Sequence, residues 1–335
     1  MVYLCNTPLY YLHERVYFNS PMAPSPPHTS YLDLVDTVLP DCKVQFLTID
    51  TEDYTTTVDT GLPEVELRHL PSNLESNLDR LLDVFAEKEY QCTFFILGRI
   101  ADRIIPQIKR MVAEGHEVAS HGMSHRRVLE ITPAEFREEL RSSKHLIEDL
   151  SGKEVVGFRA PMFSITNENL WALDILAEEG YRYDSSITPF ANFAYGIKGA
   201  PKIPHRLTNG LIEVPMSVFD RLGYPFMVAG GFYLRVYPLW LHKLFLRFRQ
   251  EETTTFYLHP WELDDGSYNL WDQLPNKGKH WSSRPKLMRM IAAYNRPKTL
   301  EKYLSLIEYA SKSTLPRALN QVISYSSPPT SSGGP

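Results

Sequence analysis

His121 and His125 stand four residues apart in the run His121-Gly122-Met123-Ser124-His125. That spacing puts two imidazoles on one side of a helical turn and lets them chelate one metal ion. Gly115 before them reads as a helix stop and residues 116–120 as a short buried strand, and strand ends are where parallel sheets hold their chemistry. A catalytic zinc commonly takes three protein ligands and keeps an open position for water, so the pair calls for a carboxylate. Asp50-Thr51-Glu52-Asp53 supplies three within four residues, directly after the apolar run Val44-Gln45-Phe46-Leu47-Thr48-Ile49. Crowded carboxylates need a cation or a catalytic use to compensate them; the bland alternative is a solvated acidic loop with a capping role. Two more strand ends carry polar residues, Arg159-Ala160-Pro161 and His259-Pro260-Trp261-Glu262. Singly, Arg159 reads as a salt-bridging group and His259 as a satisfied core histidine. Jointly, the four loops converge on one rim.

The elements that must position these residues alternate. Strands are expected at residues 44–49, 92–97, 116–120, 155–158, 181–183, 211–214 and 254–258. Helices are expected at 73–88, 100–114, from Thr132-Pro133-Ala134-Glu135 onward, and at 168–179, 236–249 and 297–311. The Thr132 start joins an N-cap, a proline at the first helical position and a glutamate able to close a capping box. About seven strand and helix units predict a parallel sheet closed, or nearly closed, into a barrel.

Residues 1–40 hold Pro8, Pro21, Pro24, Pro26 and Pro27 with few charges, and read as a poorly ordered N-terminal extension or a docked arm. Residues 41–316 form the expected catalytic domain, and 317–335, ending in a Ser/Pro/Gly run, a disordered tail. The chain of 335 residues is long enough for one large α/β barrel or two medium domains. Its formal net charge of -5, with mixed signs and no basic block, points to neither nucleic acid nor an anionic membrane surface as partner. Cys5, Cys42 and Cys92 are odd in number and scattered, which argues against a disulfide framework. With no signal-peptide pattern and no transmembrane segment, the expected location is cytoplasmic.

Phe46-Leu47-Thr48-Ile49-Asp50, the His121/His125 pair, Phe158-Arg159-Ala160-Pro161 and Tyr257-Leu258-His259 occur in the order of the motifs of the polysaccharide deacetylases, the NodB-homology carbohydrate esterases, and the chain resembles that family over residues 43–312. The variants Asp50-Thr51-Glu52-Asp53-Tyr54, Arg159-Ala160-Pro161-Met162-Phe163-Ser164, Tyr183-Asp184-Ser185-Ser186 and Leu258-His259-Pro260-Trp261-Glu262 resemble a subgroup encoded with bacterial exopolysaccharide machinery. The resemblance implies an α/β fold, a distorted (β/α)7-type barrel with a groove across its top. It implies Asp50 as general base, His121 and His125 as metal ligands, Arg159 as the clamp that orients Asp50, His259 as general acid and the Met162 backbone N–H as an oxyanion donor. The implied cofactor is a divalent metal, Zn²⁺, and the implied substrate an N-acetylated glycan, deacetylated in exopolysaccharide biosynthesis.

The family's commonest first motif has two adjacent aspartates, base then ligand, whereas Thr51 follows Asp50 here. The third ligand then comes from Glu52 or Asp53. Residues two apart in an extended segment point the same way, which favours Glu52 beside Asp50, with Asp53 the fallback. Gly122 stands where the family often has Ser or Thr, and Met162 where an aromatic is frequent. The altered first motif leaves a second enzymatic reading, an allantoinase- or imidase-like hydrolase of small cyclic amides or ureides. A third, a non-catalytic glycan-binding barrel, has no use for Asp50, Arg159 and His259 together. Trp261, Phe163 and Tyr54 flank the expected site, Asp184-Ser185-Ser186 is expected in a supporting role, and Gly230-Gly231 reads as a turn or bulge.

Overall fold

The computed structural model describes residues 30–39, 43–57, 70, 72–190, 195–219, 226–228, 230–249, 253–264, 294, 296–311 and 315–325. Along the chain the strands are β1 Val35–Val38, β2 Gln45–Thr51, β3 Thr93–Ile96, β4 Glu117–Ser120, β5 Gly157–Phe158, β6 Tyr183–Asp184, β7 His205–Leu207, β8 Ile212–Glu213, β9 Val218–Phe219, β10 Phe226–Met227 and β11 Thr254–Leu258. The main helices are α1 Leu74–Lys88, α2 Ile105–Ala113, α3 Pro133–Ser151, α4 Trp171–Glu178, α5 Gly231–Val236, α6 Leu239–Phe248 and α7 Thr299–Ala310. Nine strands form one sheet in the order β1-β7-β8-β6-β5-β4-β3-β2-β11, in which neighbours from β8 through β11 run parallel. The sheet curls into a distorted half-barrel with helices packed outside it.

Alternation along β2 explains how the barrel positions polar groups. Leu47 and Ile49 join the large apolar cluster between sheet and helices, with Leu78, Leu81, Leu82 and Phe85 of α1. Each of those fully buried side chains contributes roughly 1.5–3 kcal/mol. Phe46 turns the other way, into a cluster with Phe95, Ala119, Tyr183 and Leu319 that fills the barrel interior. Thr48 and Asp50 share the Phe46 side by the period of two. The inner face of the strand therefore has an apolar foot and a polar head.

Several boundaries differ from expectation, each for a local reason. The expected helix over 100–114 is interrupted by a 3-10 turn, Asp102–Ile104, before α2, whose second residue is Pro106. The expected helix over 236–249 is two, because Pro238 ends α5 and starts α6. The sheet also has an antiparallel edge. β7 and β8 are joined by Thr208-Asn209-Gly210, with Gly210 at φ +89° and Leu207 N–H bonded to Leu211 O at 2.8 Å, a turn too short for a parallel crossover.

The expected disordered ends are also corrected in part. Residues 30–39 are packed: β1 pairs antiparallel with β7, and Tyr31 is fully buried with its hydroxyl 2.6 Å from His205 Nε2. At the other end, residues 317–325 of the expected tail are ordered, because Leu319 and Val322 supply apolar surface that closes the foot of the barrel. Arg317 N–H donates to Gln45 O at 2.8 Å, and Leu319 N–H to Thr93 Oγ1 at 2.7 Å. Residues 1–29, 40–42 and 326–335, with Cys5 and Cys42, lie outside the described residues; Cys92 is buried. Among the described residues no helix is long and apolar enough to cross a membrane.

Candidate active site

The head of β2 carries Asp50, 2 % exposed, beneath Arg159, which is wholly buried just past β5. Arg159 Nη1 reaches Asp50 Oδ1 at 2.6 Å and Thr48 Oγ1 at 2.8 Å. Its other nitrogens donate to Ser185 O at 3.0 Å and Ser185 Oγ at 2.9 Å, and the guanidinium lies over the Phe95 ring at 4.2 Å. A cation buried this deeply is tolerable because its donors are engaged and a carboxylate faces it. Ser186 supports the same corner, accepting from Ala160 N–H at 2.8 Å and donating to Asp184 at 2.6 Å.

Glu52 lies beyond the strand end and is 3 % exposed. Its Oε2 is 2.6 Å from His125 Nε2 and 3.7 Å from His121 Nε2, and ligand atoms of these three residues lie within 4.8 Å of one another. Asp53, the fallback, is instead engaged by Arg103 at 3.0 Å. Burial works against the Glu52 charge, but His125 and His259 beside it hold its pKa well below the usual carboxylate range.

The two histidines are not on a helical turn. They sit in an irregular loop after β4 in which Gly122 has φ +76° and His125 φ +64°. A left-handed histidine costs about 1–2 kcal/mol, and the loop is held by Glu139 of α3, which accepts Met123 N–H at 2.9 Å and Ser124 N–H at 2.8 Å. His121 Nδ1 lies 2.8 Å from Arg159 O, so it carries the proton and Nε2 presents its lone pair to Glu52.

His259 follows β11 on the opposite side. Its Nε2 is 3.9 Å from Asp50 Oδ2 and 3.3 Å from Glu52 Oε1. Its side chain is 18 % exposed against 3 % for Asp50, so solvent reaches the histidine first. Nδ1 is 2.9 Å from Glu262 Oε2, and Glu262 Oε1 in turn accepts from Arg235 Nε of α5 at 2.9 Å. Burial works against the imidazolium, but Glu52 and Glu262 outweigh it and raise the His259 pKa to about 9. Trp261 stacks on the imidazole at 5.2 Å between ring centroids, and its Nε1–H donates to Glu52 Oε1 at 3.4 Å.

Met162 has φ +60° in a tight turn. Phe163 N–H and Ser164 N–H close that turn on Ala160 O and Pro161 O, leaving Met162 N–H outside those bonds. The structure thus brings Asp50, Glu52, His121, His125, Arg159 and His259 to one rim, with Met162 in the loop directly after Arg159. Phe163 packs against Tyr257 at 5.3 Å; the Tyr54 side chain lies outside the described residues. Sequence reasoning assigned nothing to Glu262, Arg235 or Glu139. Glu262 had a signal, its i+3 spacing from His259 across Pro260, which matches a capping box. Glu139 and Arg235 had none, because each acts across a tertiary contact.

The buried cluster fits a divalent cation. Glu52 Oε2, His121 Nε2 and His125 Nε2 converge from two separate loops, their ligand atoms lie within 4.8 Å of one another, and one carboxylate with two imidazoles is a donor set that suits such an ion.

Residues 40–183 match the family model for polysaccharide deacetylases, and residues 185–314 match a domain of unknown function, DUF3473. The two segments build one sheet: β11, in the second, pairs in register with β2, in the first, from Thr254 opposite Gln45 to Leu258 opposite Ile49. Over 116 residues the chain is 34% identical to the peptidoglycan deacetylase of Helicobacter pylori, covering 34% of this chain and 38% of that one. Over 98 residues it is 34% identical to a chitooligosaccharide deacetylase of Bradyrhizobium sp. (strain ANU 289), covering 29% and 42%. The chain spans about two fifths of the length of these curated relatives. A Mycobacterium smegmatis structure assigned as a polysaccharide deacetylase has the same fold, with TM-score 0.57 and 18% identity over 92% of this chain and 94% of that one. Residues 40–183, whose strand ends carry Asp50, Glu52, His121, His125 and Arg159, are thus the part of the chain that is similar to the polysaccharide deacetylases.

Proposed function

We propose that the protein is a metal-dependent N-deacetylase acting on an N-acetylated glycan in exopolysaccharide biosynthesis. The observation that carries this reading is the pairing on one rim of a clamped carboxylate, Asp50, with a cationic imidazole, His259, 3.9 Å apart beside a cluster of metal-ligand type. The names of its relatives, deacetylases of peptidoglycan and chitooligosaccharide, support an acetamido sugar as the substrate class.

An acetamide is a poor electrophile with a poor leaving group, so hydrolysis needs a base for water, a donor for the oxyanion and an acid for the amine. Glu52 Oε2, His121 Nε2 and His125 Nε2 would hold the ion; mixed imidazole and carboxylate donors suit zinc. Once bound, it supplies Lewis acidity toward the carbonyl and the attacking water. Asp50, oriented by Arg159, takes the proton of that water. Met162 N–H donates to the developing oxyanion. His259, held by Glu262, gives its Nε2 proton to the departing nitrogen, and the products are acetate and a free amino sugar.

The test is acetate release from N-acetylglucosamine oligomers by the purified protein, before and after chelation and again after Zn²⁺ is restored. Release that falls with chelator and returns with Zn²⁺ is expected. Asp50→Asn should lower kcat by a factor of about 10²–10⁴ with metal content unchanged, and His125→Ala should lose the metal. Full activity in Asp50→Asn would sink the mechanism.

A further inference from the structure

Helix α6 presents two faces of different character. His242, Phe245 and Leu246 are buried, and Phe245 stacks on Phe219 at 4.6 Å between centroids. The outer face leaves Trp240 66 % exposed, Leu244 38 % and Phe248 48 %, and Val236, the last residue of α5, is 37 % exposed. At 3.6 residues per turn Trp240, Leu244 and Phe248 fan over about 80° of one face. Arg247 and Lys243 continue the fan on the far side of Trp240, within about 60° of it. Lys243 reaches over the Tyr309 ring of α7 at 5.7 Å, and Arg247 is exposed. From Val236 to Arg249 the chain has no acidic residue, although the whole chain is net negative.

We propose that this face docks on a bilayer surface carrying anionic lipid headgroups. Tryptophan and phenylalanine seat at the boundary of headgroup and acyl chain, and flanking lysine and arginine meet lipid phosphates while their stems lie along apolar surface. The same fan suits a second copy of the chain poorly. Its exposed apolar side chains amount to roughly 300–400 Å², against about 800 Å² buried per partner in a stable pair. The whole-chain charge conceals the face, because the two cations are concentrated on a helix without carboxylates.

The test is co-sedimentation of the full chain with vesicles of phosphatidylcholine alone and of phosphatidylcholine with phosphatidylglycerol. It needs no catalytic readout, so its result is independent of the deacetylase reading. Partition onto the phosphatidylglycerol vesicles is expected, weakened by salt. Trp240→Ser with Phe248→Ser should lower it on the order of ten-fold or more. Lys243→Gln with Arg247→Gln should lower it on the order of ten-fold on anionic vesicles only. All four side chains lie on the outer face of α6, so unchanged circular dichroism is expected in both double variants. Absence of partition, or partition indifferent to both, would overturn the proposal. So would a concentration-dependent dimer in sedimentation velocity that the Trp240/Phe248 variant abolishes.

Discussion

At the scale of single residues the site is a set of paired charges, and each pair has a structural reason. Arg159 has no exposed surface and Asp50 almost none, so neither is affordable without the other. His259 depends likewise on Glu262, itself fixed by Arg235. Its pKa is raised to about 9, so the imidazolium form present at neutral pH is lost as pH rises through that value. Glu262→Gln removes one of the three carboxylates responsible, Glu52, Glu262 and Asp50, so the pKa falls and the alkaline limb of the acetate-release profile moves to lower pH. A cation on Glu52 offsets that carboxylate and Asp50 is common to both proteins, so this variant isolates the Glu262 share. We expect kcat to drop on the order of a hundredfold with metal content intact, and an unmoved limb would show that Glu262 only packs. Asp50, His121, His125, Arg159 and His259 were legible because each stands at a strand end within a short local motif. Arg235 was not: it lies 27 residues from Glu262 and meets it only in the folded barrel.

Secondary-structure elements were legible where the period of two or of 3.6 was uninterrupted, as in β2, α1 and α3. β8 falls in the strand expected at 211–214, but β7, three residues long, is too short to show alternation, so its antiparallel pairing with β8 escaped. At the junction of α5 with β11, Gly230-Gly231 is more than the plain turn expected of it. Gly230 has φ +142° and forms a bridge with Tyr257, and a Cβ there would stand 2.3 Å from both Tyr257 O and its ring. A backbone oxygen in a buried strand cannot move aside, so Gly230→Ala should cost roughly 2–4 kcal/mol. It should also reduce acetate release, because the displaced α5 carries Arg235 away from Glu262. Thr132→Ala is the contrast. It removes the cap of α3, where Thr132 accepts Glu135 N–H, and should cost about 1 kcal/mol with activity unchanged. Thermal melting and acetate release on the two proteins separate the junction from a mere loss of stability.

For the whole molecule, the otherwise apolar foot of the barrel holds one buried carboxyl group. Glu117 of β4 is buried and accepts from Tyr183 Oη at 2.9 Å, Asn320 N–H at 2.9 Å and Thr93 Oγ1, tying three strands to the C-terminal segment. Burial raises its pKa from 4.5 to about 7 against these hydrogen bonds. The folded chain therefore binds this proton more tightly than the unfolded chain, and the resulting stability is fully present below about pH 4.5 and lost as pH rises through about 7. The buried, depressed His116 and His205 act in the opposite sense, losing stability as pH falls from 6.5 through about 4, so the wild-type profile is a sum of opposed slopes. Glu117→Gln separates them, because glutamine has the shape of the protonated acid, can still pair with Tyr183 and Asn320, and does not titrate. Every other group is common to both proteins and cancels in the comparison. The variant should match the wild type near pH 5 and exceed it at pH 8 by about 2–3 kcal/mol, several degrees in melting temperature. An equal difference at both pH values would mean that Glu117 stays protonated throughout and that the C-terminal segment is held by hydrogen bonds of a neutral acid.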